Sequence, residues 1–254
     1  MGSALVKGWQ PFYDLTVMDP TYPDCLRHPD ELPTGYQPDA IVLAVKPQII
    51  DTIMPLYSPL FDAPNHLWIS VAAGVPFAFF RQFLYHAPIV RAMPNLAVQF
   101  GEGITGLIST QGSLPLVETL FRPLGKTVWV EEEQQLDAVT ALSGSGPAYF
   151  YAMVEALAQA GEILGLPFET AMTLARQTAI GAGVTLQNTT ESASALRQQV
   201  TSPQGTTAAA LELLNNPQVG LLPLVKKATD SAYQRAQRLG HDYLKKTSVK
   251  KEVL

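Results

Sequence analysis

The sequence contains 254 residues, of which 47% are hydrophobic and 15% are charged, with a formal net charge of −5. This hydrophobic content supports a sizeable core, the negative charge argues against a nucleic-acid-binding surface, and no apolar run approaches the roughly 18 residues of a membrane-spanning helix. The single cysteine, Cys25, excludes an intrachain disulfide, and the four histidines lack the spacing of metal ligands. We therefore expect a soluble cytoplasmic protein that binds no metal.

The chain begins with MGSALVKGW, which predicts the interior of a helix with Leu5, Val6 and Trp9 on one face. A secretory leader places positive charge before a longer apolar run, whereas the only charged residue here, Lys7, follows the small residues. We therefore interpret this segment as part of the fold rather than as a leader.

Residues 1–133 alternate short apolar runs with turn signals. Runs of this length that are rich in β-branched residues are typical of strands buried on both faces, as in a parallel sheet covered by helices. The first half is therefore predicted to be an open α/β domain, with strands in DLTVM, AIVLAV, HLWISVAAG, PIVRAMPN, GITGLIS and KTVWV.

Residues 134–254 show no convincing strand and are predicted to be helical. Apolar residues recur three and four apart in AYFYAMVEALAQAGEILG, PFETAMTLARQTAIGAGVTL, TTAAALELL and LVKKATDSAYQRAQRLG. The basic end of the chain, KKTSVKKEVL, predicts a solvated, frayed terminus. An α/β domain followed by an all-helical one is common among dehydrogenases, which is an analogy of fold and does not name a reaction.

The segment GEGITG matches the spacing G-x-G-x-x-G at Gly101, Gly103 and Gly106. A phosphate-binding turn of this kind needs a helix after it, but LIST follows here, and Glu102 would face the phosphates with the wrong charge. We therefore predict a strand or turn punctuated by glycine.

Gly2 instead fits the third glycine of such a turn, the one inside the helix that lets the helix approach the sheet. The first two glycines and the first strand would then lie upstream of Met1, although any helix can contain a glycine. Asp19, at the end of DLTVM, allows two interpretations: an acidic residue that binds the ribose hydroxyls, or a simple turn before Pro20.

Two loops follow predicted strands at the edge where open α/β sheets bind ligands. Residues 44–47 come after AIVL, and the small residues of VAAG leave room for a flat ring. Both loops border the dinucleotide in this interpretation, and ordinary turns at strand ends are the alternative. The residues concerned are Ala44, Val45, Lys46, Pro47, Ala72, Ala73 and Gly74.

Six segments occur in an order that resembles the pyrroline-5-carboxylate reductase family: DAIVLAVKPQ, ISVAAGV, VRAMPN, GEGITGL, DAVTALSGSGPAYFYAMVEALAQAGEILGLP and QVTSPQGTTAAALELL. The resemblance covers nearly the entire chain, and LSGSGPAY and VTSPQGTT are its most specific pieces. It implies an N-terminal Rossmann-like dinucleotide-binding domain that lacks its first strand, residues 1–133, and an all-α substrate-binding and dimerisation domain, residues 134–254.

The resemblance also implies the reaction, in which hydride from a reduced nicotinamide converts 1-pyrroline-5-carboxylate into L-proline. The helix start in TSPQGTT offers backbone N–H groups and a positive dipole end to the substrate carboxylate, although a helix cap is the ordinary role of such residues. The implied substrate-binding residues are Ser202, Gly205, Thr206 and Thr207 with Ser145 and Gly146 of LSGSGPAY, and Thr207 is the catalytic candidate.

The implied cofactor is NADP(H), with NAD(H) possible, and the implied assembly is a homodimer or a larger homo-oligomer. Gly2 and Asn95, the latter in VRAMPN, join the residues of the two loops as cofactor-binding candidates. No side chain near LSGSGPAY is an obvious strong general acid for the reaction. We therefore expect positioning and electrostatics to carry the catalysis of a protonated imine.

Three features depart from the family pattern. The family normally begins with a strand and a turn such as G-x-G-x-M-G, and this chain begins at that methionine, which we interpret as a misassigned start. The stretch between Asp19 and Asp39 is short and rich in proline, so the second helix is expected to shrink to a turn. Gln204 stands where the family usually has glycine.

Two rival interpretations remain at this point. The chain could be a catalytically impaired relative, a helical dimer that binds proline but lacks the cofactor turn. It could also belong to the wider β-hydroxyacid-dehydrogenase-like group, which would need a catalytic lysine near LSGSGPAY or TSPQGTT, where the sequence has none.

Overall fold

A computed structural model describes residues 1–23, 25–112 and 114–251, with side chains through residue 242. The strands are β1 (Ala40–Leu43), β2 (Leu67–Ser70), β3 (Ile89–Pro94), β4 (Gly103–Ser109) and β5 (Gly125–Trp129). The helices are α1 (Gly2–Trp9), α2 (Ile50–Phe61), α3 (Phe77–Phe80), α4 (Pro115–Phe121), α5 (Gln135–Val139), α6 (Gly146–Ile163), α7 (Phe168–Gln187), α8 (Ala193–Gln199), α9 (Thr206–Leu214) and α10 (Leu221–Lys251).

The five strands form one sheet in the order β1-β2-β3-β4-β5. Strands β1, β2 and β3 are parallel, with Val42 opposite Ile69 and Ile69 opposite Val90. Strand β4 runs antiparallel to β3 and parallel to β5, so the predicted open α/β sheet is confirmed as mostly parallel, with one antiparallel pair. The connection, residues 95–102, is shorter than the crossover of about a dozen residues that a parallel pair requires.

The predicted strand DLTVM is also wrong, because this segment does not join the sheet. Among the described residues, its one ladder contact is an isolated bridge between Met18 and Leu26. Strand β1 pairs with β2 alone in the described part of the chain, and a cavity separates its other side from residues 15–19. Two backbone hydrogen bonds join this segment to Leu26, from the Asp19 amide at 2.9 Å and to the Val17 carbonyl oxygen at 3.2 Å, and they do not extend into a strand pair.

Helices cover both faces of the sheet and build two apolar clusters. On one face, Leu5 and Trp9 of α1 are buried against Ile69, and the Trp9 indole donates a 2.6 Å hydrogen bond to the Leu120 carbonyl oxygen. On the other face, Met54 of α2 and Phe80 of α3 pack in a cluster that includes Trp68. The predicted helical start is therefore confirmed, with Leu5 and Trp9 on its buried side.

The chain divides into two compact units, residues 1–145 with 232–254, and residues 146–231. The second unit is helical throughout, and the described residues contain no strand after β5, as predicted. None of the described helices is both long enough and apolar enough to cross a membrane. The predicted domain boundary at residue 133 stays a prediction, and the side chains of the tail KKTSVKKEVL lie outside the described residues.

Candidate active site

Three loops meet at one edge of the sheet, where the parallel strands β1, β2 and β3 end. The loops begin at Ala44, after β1, and at Val71, after β2, while Asn95 directly follows β3. Because neighbouring parallel strands point their carboxyl ends the same way, the structure brings most of the cofactor-binding candidates to this edge. These are Ala44, Val45, Lys46, Pro47, Ala72, Ala73, Gly74 and Asn95.

Gly2 lies at the same edge, at the start of α1. A Cβ atom built on Gly2 would lie 3.4 Å from the Cβ atom of Ala44, an ordinary van der Waals contact, so α1 packs against the end of β1 without requiring glycine at this position. This contact places the positive end of α1 beside the loop after β1. The assignment of Gly2 as the third glycine of a phosphate-binding turn stays a prediction.

A cavity of about 190 Å³ opens between α1, residues 15–19 and β1. Its lining is mostly apolar or small, and includes Gly2, Leu5, Val17, Asp19, Val42 and Ala44. This is the position that the first strand of a dinucleotide-binding sheet takes, between its second and fourth strands. The side of β1 that pairs with no other described strand therefore faces this cavity, which we call the slot beside β1.

The loop after β2 requires glycine at one position. Gly74 has φ of +75°, and a Cβ atom there would lie 3.0 Å from the backbone nitrogen of Gly240 in α10. Ala72 is buried in the core, so the small residues of this loop satisfy the packing of the unit itself. Asn95, 9% exposed, accepts a 3.2 Å hydrogen bond from the Ala97 amide. Their contact with a cofactor stays a prediction.

Asp19 lies in a turn, which was one of the two interpretations of this residue. Its carboxylate accepts hydrogen bonds from the Thr21 amide at 2.8 Å, the Thr21 hydroxyl at 2.7 Å and the Tyr22 amide at 3.1 Å. The Thr21 hydroxyl and amide hold the pKa of Asp19 below its ordinary value. A single 3-10 turn, Pro29–Glu31, stands in the described part of the Asp19–Asp39 stretch, which confirms the expected loss of the second helix.

Sequence reasoning missed a charged cluster beside the loop after β2. Arg91, inside the fully buried strand β3, donates a 2.7 Å hydrogen bond to Glu133, and Asp137 lies within range of both charges. Burial raises the pKa of Asp137 above its ordinary value, the Arg91 charge opposes this effect, and the Glu133 charge adds to it. The signal was available, because a charged residue in an apolar strand needs a partner.

The second unit presents the turn in TSPQGTT. The Gly205 amide donates a 3.0 Å hydrogen bond to the Ser202 carbonyl oxygen, which closes the turn. Gln204 has φ of +60°, in the left-handed region that glycine adopts at least cost. Replacing the family's glycine by glutamine at this position therefore strains the backbone. A Cβ atom on Gly205 would collide with the Ser202 hydroxyl, so a larger residue here would force the Ser202 side chain to move.

Helix α9 begins directly after this turn, with Gly205 as its cap residue and no side-chain cap hydrogen bond. The first amides of a helix have no acceptor inside it, so those of Thr206 and Thr207 are available to an anion. The Thr207 hydroxyl makes no hydrogen bond within the described residues. Threonines farther inside helices, such as Thr173, donate instead to the carbonyl oxygen one turn back.

The segment LSGSGPAY forms a wide turn that runs into α6. The Ser145 amide donates a 2.8 Å hydrogen bond to the Thr140 carbonyl oxygen, five residues back, and α6 starts at Gly146 with Pro147 in its first turn, as predicted. No described atom lies within 4 Å of a Cβ atom built on Gly146. Packing inside the described chain therefore does not explain this glycine, and the binding roles of Ser145 and Gly146 stay predictions.

A parallel sheet edge with a helix N-terminus beside it, in a chain that continues into helices, is the architecture of the dinucleotide-binding oxidoreductases. Residues 133–239 match the family model described as pyrroline-5-carboxylate reductase dimerisation. The chain is 40% identical over 206 residues to the pyrroline-5-carboxylate reductase of Pseudomonas aeruginosa, covering 79% of this chain and 74% of that one. This chain therefore belongs to the pyrroline-5-carboxylate reductase family, as its motifs indicated.

Solved structures agree with the family assignment. The pyrroline-5-carboxylate reductase of Coxiella burnetii is 40% identical, with a TM-score of 0.72 over 79% of this chain and 76% of that one. The pyrroline carboxylate reductase of Plasmodium falciparum, solved with NADP bound, is 27% identical, with a TM-score of 0.79 over 94% of both chains.

Proposed function

We propose that this chain reduces 1-pyrroline-5-carboxylate to L-proline with hydride from a reduced nicotinamide, the last step of proline biosynthesis. The observation that carries the proposal is the match to the Pseudomonas aeruginosa reductase. Its 206 residues exceed the length of either compact unit, so it includes parts of both. The comparisons favour this activity over the impaired relative and over another member of the wider dehydrogenase group.

The second unit supplies the groups that would recognise the substrate. The amides at the start of α9 bind the substrate carboxylate, with Ser202 and Gly205 shaping the turn before them. The Thr207 hydroxyl lies at the same helix end and holds the ring nitrogen. A bound nicotinamide supplies the hydride that forms the new C–H bond, while the C=N electron pair moves to the nitrogen, which already carries its proton.

The first unit fits a dinucleotide at the carboxyl edge of its sheet. Gly2 packs beside Ala44, which brings the N-terminus of α1 to this edge, and the loops at 44–47 and 72–74 border the same edge. Gly2 and the loop at 44–47 would hold the pyrophosphate end of the dinucleotide. The loop at 72–74 and Asn95 would hold its nicotinamide end.

NADP(H) is the cofactor that we favour, and NAD(H) is the second candidate. The Plasmodium falciparum relative was solved with NADP. In this chain, Asp19 already accepts three hydrogen bonds from Thr21 and Tyr22, which makes it a poorer partner for the ribose hydroxyls by which an acidic residue selects NAD.

The direct test is an assay of this chain with 1-pyrroline-5-carboxylate and each reduced nicotinamide. We expect substrate-dependent oxidation of the nicotinamide, with a higher kcat/KM for NADPH than for NADH. Unsubstituted 1-pyrroline, which lacks the carboxylate, is the matched control and should be reduced more slowly. Proline binding without any turnover would support the impaired relative instead.

A homodimer or larger homo-oligomer is the expected assembly. The matched family model is a dimerisation domain, and the second unit by itself exposes a large apolar surface. Side chains at least 47% exposed on its long helices include Phe150, Tyr151, Leu157, Leu174, Ile180 and Val184. A cytoplasmic location, in accord with the single cysteine, is part of the same proposal.

Analytical ultracentrifugation of the chain should therefore show a dimer or a larger species. The exposed Ile180→Asp variant should shift the population toward monomer, because it buries a charge in an apolar contact. Gln177→Glu, also exposed on α7, adds the same charge as a control. A monodisperse, well-folded monomer of the unmodified chain would contradict this assembly.

A further inference from the structure

One carboxylate oxygen joins the loop after β2 to the core of the sheet. The Glu133 Oε1 atom accepts a 2.7 Å hydrogen bond from the Arg91 guanidinium and a 2.6 Å hydrogen bond from the Phe77 amide. Arg91 lies on β3, and Phe77 is the first residue of α3. Two donors from distant parts of the chain therefore converge on one acceptor.

The Arg91–Glu133 pair differs from an ordinary surface ion pair. The Arg91 side chain is only 6% exposed, and the Glu133 side chain is 35% exposed. A surface pair contributes little because water screens it, whereas a buried guanidinium left without its partner is strongly unfavourable. The Arg91 charge therefore fixes where the Glu133 carboxylate lies.

The Phe77 amide also depends on Glu133. Helix α3 follows Pro76, which provides no side-chain cap hydrogen bond, so its first amide needs an acceptor from elsewhere. Glu133 supplies it across 56 positions in sequence. The loop of Ala72, Ala73 and Gly74 ends at this helix, so the carboxylate anchors the C-terminal end of the loop.

Glu133 also leads into the segment that carries LSGSGPAY. It precedes α5, which continues directly into the wide turn at Thr140–Gly144. The Met93 sulfur atom, on β3, lies 3.7 Å from a Cβ atom built on Gly144. Glu133 is thus bonded to the loop that contains candidate cofactor-binding residues and, along the chain, begins the segment that leads to Gly144.

We propose that Glu133, held by Arg91, is a positioning residue that fixes the loop at 72–77 for hydride transfer. The inference rests on the proposed function, because that function gives this loop the nicotinamide end of the cofactor. Glu133 acts through the Phe77 amide and touches no reacting atom. The pyrophosphate end is held by other residues, so kcat should depend on Glu133 more than cofactor affinity does.

Native-state hydrogen exchange of the free protein, followed by mass spectrometry, tests the anchoring without any need for activity. In Glu133→Ala we expect exchange in residues 72–81 to accelerate by about tenfold, since a hydrogen bond to a charged acceptor is lost. Glu133→Gln, which keeps an acceptor oxygen, should give a smaller increase. Exchange in β4 should accelerate much less than in residues 72–81 in either variant.

Glu132→Gln is the matched control, because Glu132 is an exposed neighbour in the same turn. Steady-state kinetics should show kcat reduced by about tenfold in Glu133→Ala, with the NADPH Kd changed by less than about threefold. Arg91→Lys, which keeps the charge but loses the guanidinium geometry, should show a weaker form of both effects.

Three results would overturn the proposal: equal exchange in Glu133→Ala and Glu132→Gln, acceleration spread over the whole first unit, or faster local exchange with kcat unchanged. If Glu133→Ala does not fold, Glu133→Gln and Arg91→Lys decide by the same criteria. If the unmodified chain reduces no imine, the proposed function fails, and the exchange measurement alone decides whether Glu133 holds the loop.

Discussion

Replacing Thr207 by valine should slow imine reduction by about five- to a hundredfold while leaving nicotinamide binding nearly unchanged. Thr207 is the second residue of α9, where the first amides of the helix are available to the substrate carboxylate. Valine keeps the shape of threonine and removes the hydroxyl. Loss of one hydrogen bond made in the transition state costs roughly 1–3 kcal/mol, which gives this range of rates.

The hydroxyl of Thr207 is suited to this role because of its position at the helix start. Thr173 and Thr185 lie within α7 and donate to the carbonyl oxygens of Glu169 and Gly181, at 2.8 and 2.9 Å. Residue 203, four positions before Thr207, lies in the preceding turn and has no place in the helix ladder. A hydroxyl at this position is thus left for a ligand.

Steady-state kinetics on Thr207→Val, with cofactor binding measured separately by fluorescence titration, gives the result. Thr173→Val is the matched control, since it removes a helical hydroxyl that bonds only to its own backbone. An unchanged kcat at saturating substrate, together with a raised KM for the cofactor, would remove Thr207 from the substrate site.

The sequence predicted β1 to β5 because each is a compact apolar run bounded by turn signals. It failed at DLTVM because the same composition forms a strand only when a neighbour is present to pair with it. The direction of β4 also escaped prediction, since composition does not report direction. The short connection after Asn95 was the available signal.

The candidate site was predictable to a similar degree. The sequence predicted the candidate loops because they follow strand ends or precede a helix start. Both kinds of position can be recognised from the local sequence pattern and from parallel topology. The link between Glu133 and Phe77 was not predictable, since it joins residues 56 positions apart through a backbone amide that any sequence carries. The unusual backbone of Gln204 became visible only in the structure, although the family pattern had marked that position.

The largest effect on the first unit should come from filling the slot beside β1. An N-terminal extension of roughly ten residues, with the form strand-G-x-G-x before Met1, should raise the melting temperature and strengthen nicotinamide dinucleotide binding. Val42 of β1 is half-buried and lines the cavity, and β1 pairs with β2 alone among the described strands. Each buried backbone group without a partner costs about 1–3 kcal/mol, so a parallel strand here removes a real penalty.

The extension acts on binding by a second route. The backbone of a glycine turn would lie directly before Gly2, at the N-terminal end of α1, where N–H groups and the helix dipole favour the pyrophosphate. The strand would also lie beside residues 15–19, which line the same cavity. We therefore expect the extended chain to bind dinucleotide more tightly than residues 1–254 and to be more stable in its first unit.

A matched extension separates these two effects. The same added residues with valine in place of both turn glycines should restore the strand and the melting temperature but not the affinity, because the side chains would block close approach of the pyrophosphate. Titration of NADPH and NADH into all three chains, with thermal melts of each, measures both properties. The 254-residue chain could bind cofactor as tightly as the extended chain and have an equally high melting temperature. In that case the slot beside β1 does not require a strand.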